Sequence, residues 1–183
     1  TKMKLCMIGT GYVGWVSGTC FADIGNQVYC VDKDRSKIDK LNSGVSPIYE
    51  PGLDELIKKN YNANRLIFTT DIKKAINYSD IIFICVGTPT KKRSLKVDLS
   101  FVYKCVKEIL NHTKKKKIIV TKSTVPVGTG DEIEKIIKKK KKLFSIISNP
   151  EFLREGEAIR DFRYPDRIVI GTDNKNEFKT LRK

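Results

Sequence analysis

Short apolar runs alternate with helical stretches along almost the whole chain, and few folds accommodate that order. The runs are rich in β-branched residues and continuous rather than alternating in polarity, which is typical of strands buried on both faces. The sequence therefore predicts an α/β fold: a doubly wound parallel sheet of the Rossmann type with helices on both faces. The predicted strands are 4–9, 27–32, 65–70, 80–87, 117–123 and 144–149, with a seventh at 167–171, and the predicted helices are 13–24, 36–42, 53–60, 72–78, 100–111 and 130–138.

The length of the chain and the starts of its helices refine this prediction. A chain of 183 residues can bury a core, so residues 1–183 are expected to form one domain. Asp71, Ser100 and Thr129 stand where predicted helices begin, and we expect their side chains to act as N-caps.

Ligands of such a sheet bind in the crevice at the carboxyl ends of the strands. The segments that follow the predicted strands are therefore the candidate binding segments. The lysine runs 114–117 and 138–142 precede strands and should lie on the opposite edge. The candidate binding segments are 9–14, 32–37, 87–98, 123–128 and 149–156.

The first of these segments, GTGYVG, stands between a predicted strand and a predicted helix. In that context Gly9 permits a tight turn, Gly11 lets the backbone approach a pyrophosphate, and Gly14 lets helix and strand pack closely. The helix N-terminus then supplies N–H groups and the positive end of a dipole. The alternative is that the glycines serve only the turn.

Asp32 ends the second predicted strand, about 20 residues after the glycines, as the dinucleotide-binding pattern requires. Its carboxylate can accept the two ribose hydroxyls of an adenosine and would repel a 2′-phosphate. The sequence therefore predicts NAD rather than NADP as the cofactor. Lys33, Arg35 and Lys37 lie close by and weaken this discrimination.

Composition argues against several other classes of function. The net charge of +15 invites a nucleic-acid partner, but the lysine runs carry no interleaved aromatic residues and fit a solvated basic edge. The five cysteines form no CxxC pair and lie in apolar stretches, so we expect buried, reduced thiols. The only histidine, His112, is expected at a helix end, and no metal site is predicted. No apolar run reaches the ~18 residues of a membrane span, and no signal peptide is visible, so a cytoplasmic protein without membrane contact is expected.

Two carboxylates follow the sixth predicted strand in the stretch SNPEFLREGEA, residues 148–158. Glu151 and Glu155 could be first-turn acids of a helix, which stabilise its dipole by ~0.3–1 kcal/mol each. They could also be directed at a bound ligand, because they lie at the carboxyl end of a strand.

Seven stretches together resemble the amino-terminal half of the UDP-glucose/GDP-mannose dehydrogenase family. They occur in the family's order and cover nearly the whole chain. The stretches are GTGYVG (9–14), PIYEPGL (47–53), VGTPT (86–90), VDLS (97–100), KSTVPVG (122–128), NPEFLREG (149–156) and PDRIVIG (165–171).

The resemblance implies two successive NAD-dependent oxidations, which turn the C6 alcohol of UDP-glucose, the substrate, into the carboxylate of UDP-glucuronate. In the family a cysteine holds the aldehyde-level intermediate as a thiohemiacetal and then as a thioester, which water hydrolyses. By resemblance Glu151 is the acid/base group near C6, Thr124 helps to hold the water, and Glu155 approaches the nicotinamide. The implied cofactor-binding residues are Gly9, Thr10, Gly11, Tyr12, Val13, Gly14, Asp32, Lys37, Val86, Gly87, Thr88, Pro89, Ser123, Thr124 and Glu155, and the implied substrate-binding residues are Glu151, Phe152, Leu153, Arg154 and Glu155.

The chain also departs from the family pattern. The nucleophilic cysteine and its lysine partner belong to a later domain, so the resemblance assigns residues 1–183 to the NAD-binding domain and leaves the central helix and substrate domain outside this chain. The chain alone is then expected to be inactive, and the full-length protein to be a homo-oligomer. The loop 90–96 is unusually basic, and Trp15 replaces a smaller residue, where it either crowds the glycine turn or packs outward.

Other functions stay open at this point. A dehydrogenase of GDP-mannose or another sugar nucleotide shares these motifs, and a non-catalytic dinucleotide-binding module would also show the glycine turn. A basic nucleic-acid binder is the most distant alternative.

Overall fold

The computed structural model describes residues 2–9, 11–46, 48–91, 96–140 and 142–182. Six parallel strands form one sheet in the order β3-β2-β1-β4-β5-β6. This order reverses direction between β1 and β4, as in a doubly wound sheet, so the predicted fold is confirmed. The strands are β1 Lys4–Ile8, β2 Gln27–Val31, β3 Leu66–Thr69, β4 Ile81–Ile84, β5 Lys117–Thr121 and β6 Phe144–Ser148.

Helices cover both faces of the sheet because successive strand residues point to opposite sides. In β1, Leu5 and Met7 enter a core shared with helices α1, α2, α3 and α7, whereas Cys6 and Ile8 enter a core shared with α4, α5 and α6. Strands buried on both sides read as continuous apolar runs, which explains the sequence pattern. The helices are α1 Tyr12–Asp23, α2 Arg35–Asn42, α3 Leu53–Asn62, α4 Ile72–Tyr78, α5 Ser100–His112, α6 Thr129–Ile137, α7 Ala158–Arg163 and α8 Lys175–Leu181.

The predicted seventh strand at 167–171 is wrong. Only Gly171 reaches β6, where it forms an isolated antiparallel bridge with Ser148 through two N–H···O bonds of 2.8 Å. Ile168 is 68% exposed, and Ile170 packs against the core from outside the sheet. The helices α7 and α8 were not predicted, and the side chain of Asn174 caps the second of them by accepting from the N–H of Asn176 at 3.0 Å.

All six strands end earlier than predicted, four of them by one residue and two by more. The predicted run 80–87 leaves the sheet after Ile84, and the run 117–123 leaves it after Thr121. The carbonyl of Ile84 accepts from the N–H groups of both Lys122 and Ser123, at 2.9 and 3.2 Å, which turns the two chain segments outward together.

One of the three predicted N-caps is correct. The carboxylate of Asp71 accepts from the N–H of Lys74 at 2.9 Å. Ser100 and Thr129 are instead the first residues of α5 and α6, whose N-caps are Leu99 and Gly128. At α5 the carboxylate of Asp98 accepts from the N–H of Ser100 at 3.0 Å, so the capping side chain stands two residues earlier than predicted.

Buried side chains confirm one prediction about the core and correct two others. All five cysteines are buried and free, as expected. Lys117 is not part of a solvated edge, because it is 2% exposed and its ammonium donates to the carbonyl of Ser79. Burial lowers the pKa of Lys117. Trp15 does not pack outward, since it is 2% exposed and packs from α1 into the core. Within the described ranges, no helix is long and apolar enough to cross a membrane.

Candidate active-site cleft

The turn between β1 and α1 has the geometry that its glycines predict. Gly9 has a φ of 96°. A Cβ on Gly14 would lie 2.1 Å from the carbonyl oxygen of Gly9, so α1 can pack this closely only with glycine there. A Cβ on Gly11 would meet no atom within 4 Å, and Gly11 caps α1 without a side chain. Open space and first-turn N–H groups suit an anionic group such as a pyrophosphate.

The other residues of the turn contribute differently. The hydroxyl of Tyr12 hydrogen bonds to the carboxylate of Glu50 and accepts from the N–H of Gly156 at 2.8 Å, so a cofactor contact by Tyr12 would come from its backbone. Val13 is half-buried against the core. Thr10 lies outside the described residues. The cofactor contacts of these residues stay predictions.

Asp32 directly follows β2, at the same edge of the sheet as the glycine turn. It is half-buried, and its Oδ1 accepts from the N–H of Asp34 at 2.8 Å, which orients the carboxylate. The carboxylate of Asp34 in turn caps α2 by accepting from the N–H groups of Ser36 and Lys37. The Lys37 side chain is exposed in the first turn of that helix.

The loops after β4 and β5 are tied together by two side-chain hydrogen bonds. The Ser123 hydroxyl donates to the carbonyl of Val86 at 2.7 Å, and the Thr88 hydroxyl donates to the carbonyl of Thr124 at 2.9 Å. Four of the predicted site residues therefore belong to one pair of hydrogen-bonded loops. Gly87 and Pro89 are exposed in the same loops, and a Cβ on Gly87 would meet no atom within 4 Å.

The segment after β6 is not a helix, so the interpretation of Glu151 and Glu155 as first-turn acids is wrong. Residues 151–157 form an irregular stretch and a turn, and α7 begins only at Ala158. The Oε2 atom of Glu151 accepts from the N–H of Leu153 at 2.6 Å, which holds the half-buried carboxylate beside its own backbone. Glu155 is exposed.

Arg154 is paired with acids of its own segment. Its Nε and Nη2 donate to the two carboxylate oxygens of Asp161 at 3.1 and 2.7 Å, and Nη2 also lies 2.8 Å from Glu157. The hydrogen bonds from Arg154 lower the pKa of Asp161 to about 2. Because the guanidinium already has carboxylate partners, the substrate contact predicted for Arg154 would compete with this pairing. Phe152, by contrast, is 50% exposed.

A cavity of about 560 Å³ adjoins this segment. It is lined by Lys122, Asn149 and the predicted substrate-binding residues from Glu151 to Arg154, but its floor is apolar and includes Leu5 and Ile81 near the amino ends of their strands. Neither the glycine turn nor Asp32 lines it. The cavity therefore does not mark the cofactor crevice, and it adjoins the segment for which substrate binding is predicted.

Lys122 and Asn149 were missed as site residues although both lie inside matching motifs. Lys122 is 7% exposed and Asn149 is 9% exposed, and Lys122 Nζ lies 3.2 Å from Asn149 Oδ1. Burial lowers the pKa of Lys122, while the nearby Cys85 and Glu151 act in the opposite direction. A lysine that directly follows a buried strand is itself a sequence signal of a functional residue, because lysine side chains are seldom buried unless their amine has a partner. Among the described residues, no group of three or more His, Cys, Asp and Glu side chains could hold a metal ion.

Comparison with known proteins decides the family. Residues 3–183 match the model of the NAD binding domain of the UDP-glucose/GDP-mannose dehydrogenase family. The chain belongs to this family. It is the NAD-binding domain, and NAD is the cofactor that the glycine turn and Asp32 fit.

Relatives of known name agree with the assignment of this dehydrogenase domain. The chain is 54% identical over 176 residues to a UDP-glucose 6-dehydrogenase of Rhizobium meliloti, covering 95% of this chain and 40% of the relative. It is 55% identical over 172 residues to the UDP-glucose 6-dehydrogenase TuaD of Bacillus subtilis, covering 92% of this chain and 37% of TuaD. The dehydrogenase domain therefore spans about 40% of the length of these relatives.

Solved structures of the family share the fold. A UDP-glucose dehydrogenase from Pyrobaculum islandicum has a TM-score of 0.92 at 35% identity, over 99% of this chain and 43% of that chain. A GDP-mannose dehydrogenase from Pseudomonas aeruginosa, in a ternary complex, has a TM-score of 0.91 at 40% identity, over 98% of this chain and 43% of that chain.

Proposed function

We propose that this domain is the cofactor-binding part of a UDP-glucose 6-dehydrogenase, which oxidises the C6 alcohol of UDP-glucose to the carboxylate of UDP-glucuronate. One observation carries the proposal. The open glycine turn and the segment that holds the carboxylate of Glu151 lie at the same edge of the sheet. The identities of 54% and 55% to two enzymes of that name favour UDP-glucose as the substrate.

The cofactor binds, in this proposal, across the carboxyl ends of β1, β2, β4 and β5. The first-turn N–H groups of α1 hold the pyrophosphate at Gly11, and Asp32 accepts the ribose hydroxyls of the adenosine. When bound, NAD accepts a hydride from the substrate carbon. The loops joined by Ser123 and Thr88 then form the rigid wall against which the nicotinamide half is oriented.

Glu151 supplies proton transfer at C6 in this scheme. Its carboxylate is held by the N–H of Leu153, so its direction is set before the substrate arrives. Thr124 lies in the neighbouring loop, where its hydroxyl can hold the attacking water. The buried amine of Lys122 lines the same cavity as this carboxylate, and its protonated form would suit the negative charge that develops as an alcohol becomes a carboxylate.

A chimaera tests this function. Residues 1–183 are joined to the carboxyl-terminal remainder of Bacillus subtilis TuaD and, in a matched second chimaera, to that of the Pseudomonas aeruginosa GDP-mannose dehydrogenase. NADH formation is followed with UDP-glucose in the first chimaera and with GDP-mannose in the second. Because each remainder brings its own substrate domain, the two chimaeras are compared with each other, and we expect the TuaD chimaera to turn over at least ~10-fold faster. The reverse order would establish the GDP-mannose alternative, which the 40% identical Pseudomonas aeruginosa structure supports. An inactive chimaera whose amino-terminal domain still binds NAD would indicate a non-catalytic module.

The role of Glu151 is tested in the TuaD chimaera. Glu151→Gln keeps the shape of the side chain and removes its ionisable group, so turnover should fall by roughly 10²-fold or more while NAD affinity changes little. Glu55→Gln, an exposed position on α3, is the matched control. Full activity of the Glu151→Gln chimaera would leave this carboxylate with a structural role only.

A further inference from the structure

Three segments that are far apart in the sequence meet at the carboxylate of Glu50. They are the first turn of α1, the loop before α3, and the turn that leads into α7. Glu50 is 7% exposed and was not predicted as a site residue. Gly156, which donates to Glu50, lies 106 positions after it in the sequence. Gly156 also donates to Tyr12, which lies 144 positions earlier.

The contacts of Glu50 all come from hydrogen-bond donors. Its Oε2 accepts from the N–H of Gly156 at 2.8 Å and from the hydroxyl of Tyr12. Its Oε1 accepts from the N–H of Ile159 at 3.2 Å. The Tyr12 hydroxyl also lies 3.3 Å from the carbonyl of Arg154. One carboxylate thus ties the phosphate-binding helix to the start of α7.

The chemistry of this junction needs a carboxylate. An ionised carboxylate only accepts, whereas a glutamine would turn an NH₂ group toward one set of these donors. Burial and the hydrogen bond to Glu50 raise the pKa of Tyr12 to about 12, so its hydroxyl keeps its proton at neutral pH and continues to donate. Gly156 has a φ of 86°, which places its N–H in a tight turn pointing at the junction.

We propose that Glu50 is a positioning residue that couples NAD binding at the first turn of α1 to the order of residues 153–159, the segment that adjoins the substrate side. This inference rests on the proposed function, because it takes NAD to bind at that turn. When NAD holds the first turn in place, Tyr12 holds Glu50, and Glu50 holds the N–H groups of Gly156 and Ile159. Local opening of the segment then becomes rarer.

Amide hydrogen exchange of the 183-residue chain, measured residue by residue by NMR with and without NAD, tests the coupling. In the unsubstituted chain, saturating NAD should slow exchange at Gly156 and Ile159 by about five-fold or more. In Glu50→Gln the chain should still bind NAD by calorimetry, yet the ratio of exchange rates without and with NAD should fall to near one. A residue that merely supports the fold would speed exchange equally with and without NAD, leaving this ratio unchanged.

Matched variants separate the outcomes. Glu55→Gln should keep the NAD-dependent slowing, and Tyr12→Phe, which removes one hydroxyl from the junction, should show a reduced slowing even if Glu50→Gln fails to fold. The coupling is overturned if NAD slows amide exchange in Glu50→Gln or Tyr12→Phe as much as in the unsubstituted chain. It is also overturned if the unsubstituted chain binds NAD without any slowing of exchange. Either result leaves the proposed function standing. Failure of the unsubstituted chain to bind NAD overturns both.

Discussion

Lys122 Nζ lies 3.2 Å from Asn149 Oδ1, and both side chains are buried where β5 and β6 end. Burial lowers the pKa of Lys122 below its ordinary value of 10.5, so the folded chain holds this proton less tightly than the unfolded chain does. Between the lowered pKa and 10.5 the unfolded state binds more protons, and the contribution of Lys122 to stability therefore rises with pH.

Lys122→Met should accordingly change stability in a pH-dependent way. Any advantage of the variant in free energy of unfolding should be larger at pH 7 than at pH 9, because the cost of burying the charged amine shrinks as the pH rises from the lowered pKa toward 10.5. Urea unfolding of both chains at pH 7 and pH 9 measures this. Lys104→Met, at an exposed position on α5, is the control. Its free energy of unfolding should differ from that of the unsubstituted chain by the same amount at both pH values. A constant difference for Lys122→Met as well would contradict the burial argument.

The sheet was predictable from the sequence because each strand buries both faces, and the continuous apolar runs record that burial directly. The run 167–171 has a similar composition but forms no strand, because only Gly171 pairs with the edge strand β6, at Ser148. Local composition does not show whether a segment runs alongside the edge of a sheet.

The glycine turn was likewise predictable from the sequence, because the close contacts that require its glycines lie within six neighbouring residues and one strand. The role of Glu50 was not predictable, although the residue lies in the matching stretch PIYEPGL, because its hydrogen-bond partners are 38 to 109 residues away in sequence. Lys117 was misjudged for a related reason. It continues a run of exposed lysines, and only the fold brings the carbonyl of Ser79 to its ammonium.

Substitution by alanine should lower stability at Gly14 but lower NAD affinity at Gly11. A Cβ at Gly14 would collide with the carbonyl of Gly9, so Gly14→Ala should lose ~1–3 kcal/mol of stability, as overpacked sites do. A Cβ at Gly11 meets open space, so Gly11→Ala should unfold at nearly the same temperature but bind NAD roughly 10-fold more weakly, since it blocks the pyrophosphate. Thermal unfolding and calorimetry separate the two effects. Unchanged NAD affinity in Gly11→Ala would move the pyrophosphate elsewhere.

Asp32 should set the preference for NAD over NADP. The N–H of Asp34 orients its carboxylate at the edge of the sheet, where a 2′-phosphate would meet a like charge. We expect calorimetric titration to show tighter binding of NAD than of NADP. Asp32→Ala should reduce the difference between the two affinities. Asp39→Ala, on the exposed side of α2, provides the control. Equal affinities in the unsubstituted chain would mean that Lys33, Arg35 and Lys37 outweigh the carboxylate.

The basic edge should be irrelevant to cofactor binding. Lys138, Lys139, Lys140 and Lys142 are exposed and precede β6, at the amino ends of the strands. Changing these four residues to glutamine should leave NAD affinity within about two-fold at physiological salt, where charges beyond ~8 Å are screened. A ten-fold loss would place the run near the ligand, and strong salt-dependent binding of the unsubstituted chain to duplex DNA would point to a nucleic-acid function instead.

The five cysteines should be unreactive in the folded chain. All are buried, and burial raises the pKa of Cys85 and Cys20 to about 12 and that of Cys105 to about 11. Because the thiolate is the nucleophile, alkylation by iodoacetamide at pH 8 should be at least ~100-fold slower in buffer than in urea, where every thiol is exposed. Mass spectrometry after timed quenching measures the rate at each position.

The same burial has a consequence for the chemistry. An oxidation that proceeds through a thioester needs an accessible thiolate, and none of the five thiols provides one. The 183-residue chain should therefore bind NAD without forming NADH from UDP-glucose, and the chimaera with the TuaD remainder should form it. If one native cysteine were alkylated within seconds and its replacement by serine abolished turnover by the short chain, the nucleophile would lie in this domain. The loop that follows β4 would then be its first location, since Cys85 directly follows Ile84 and packs against the glycine turn.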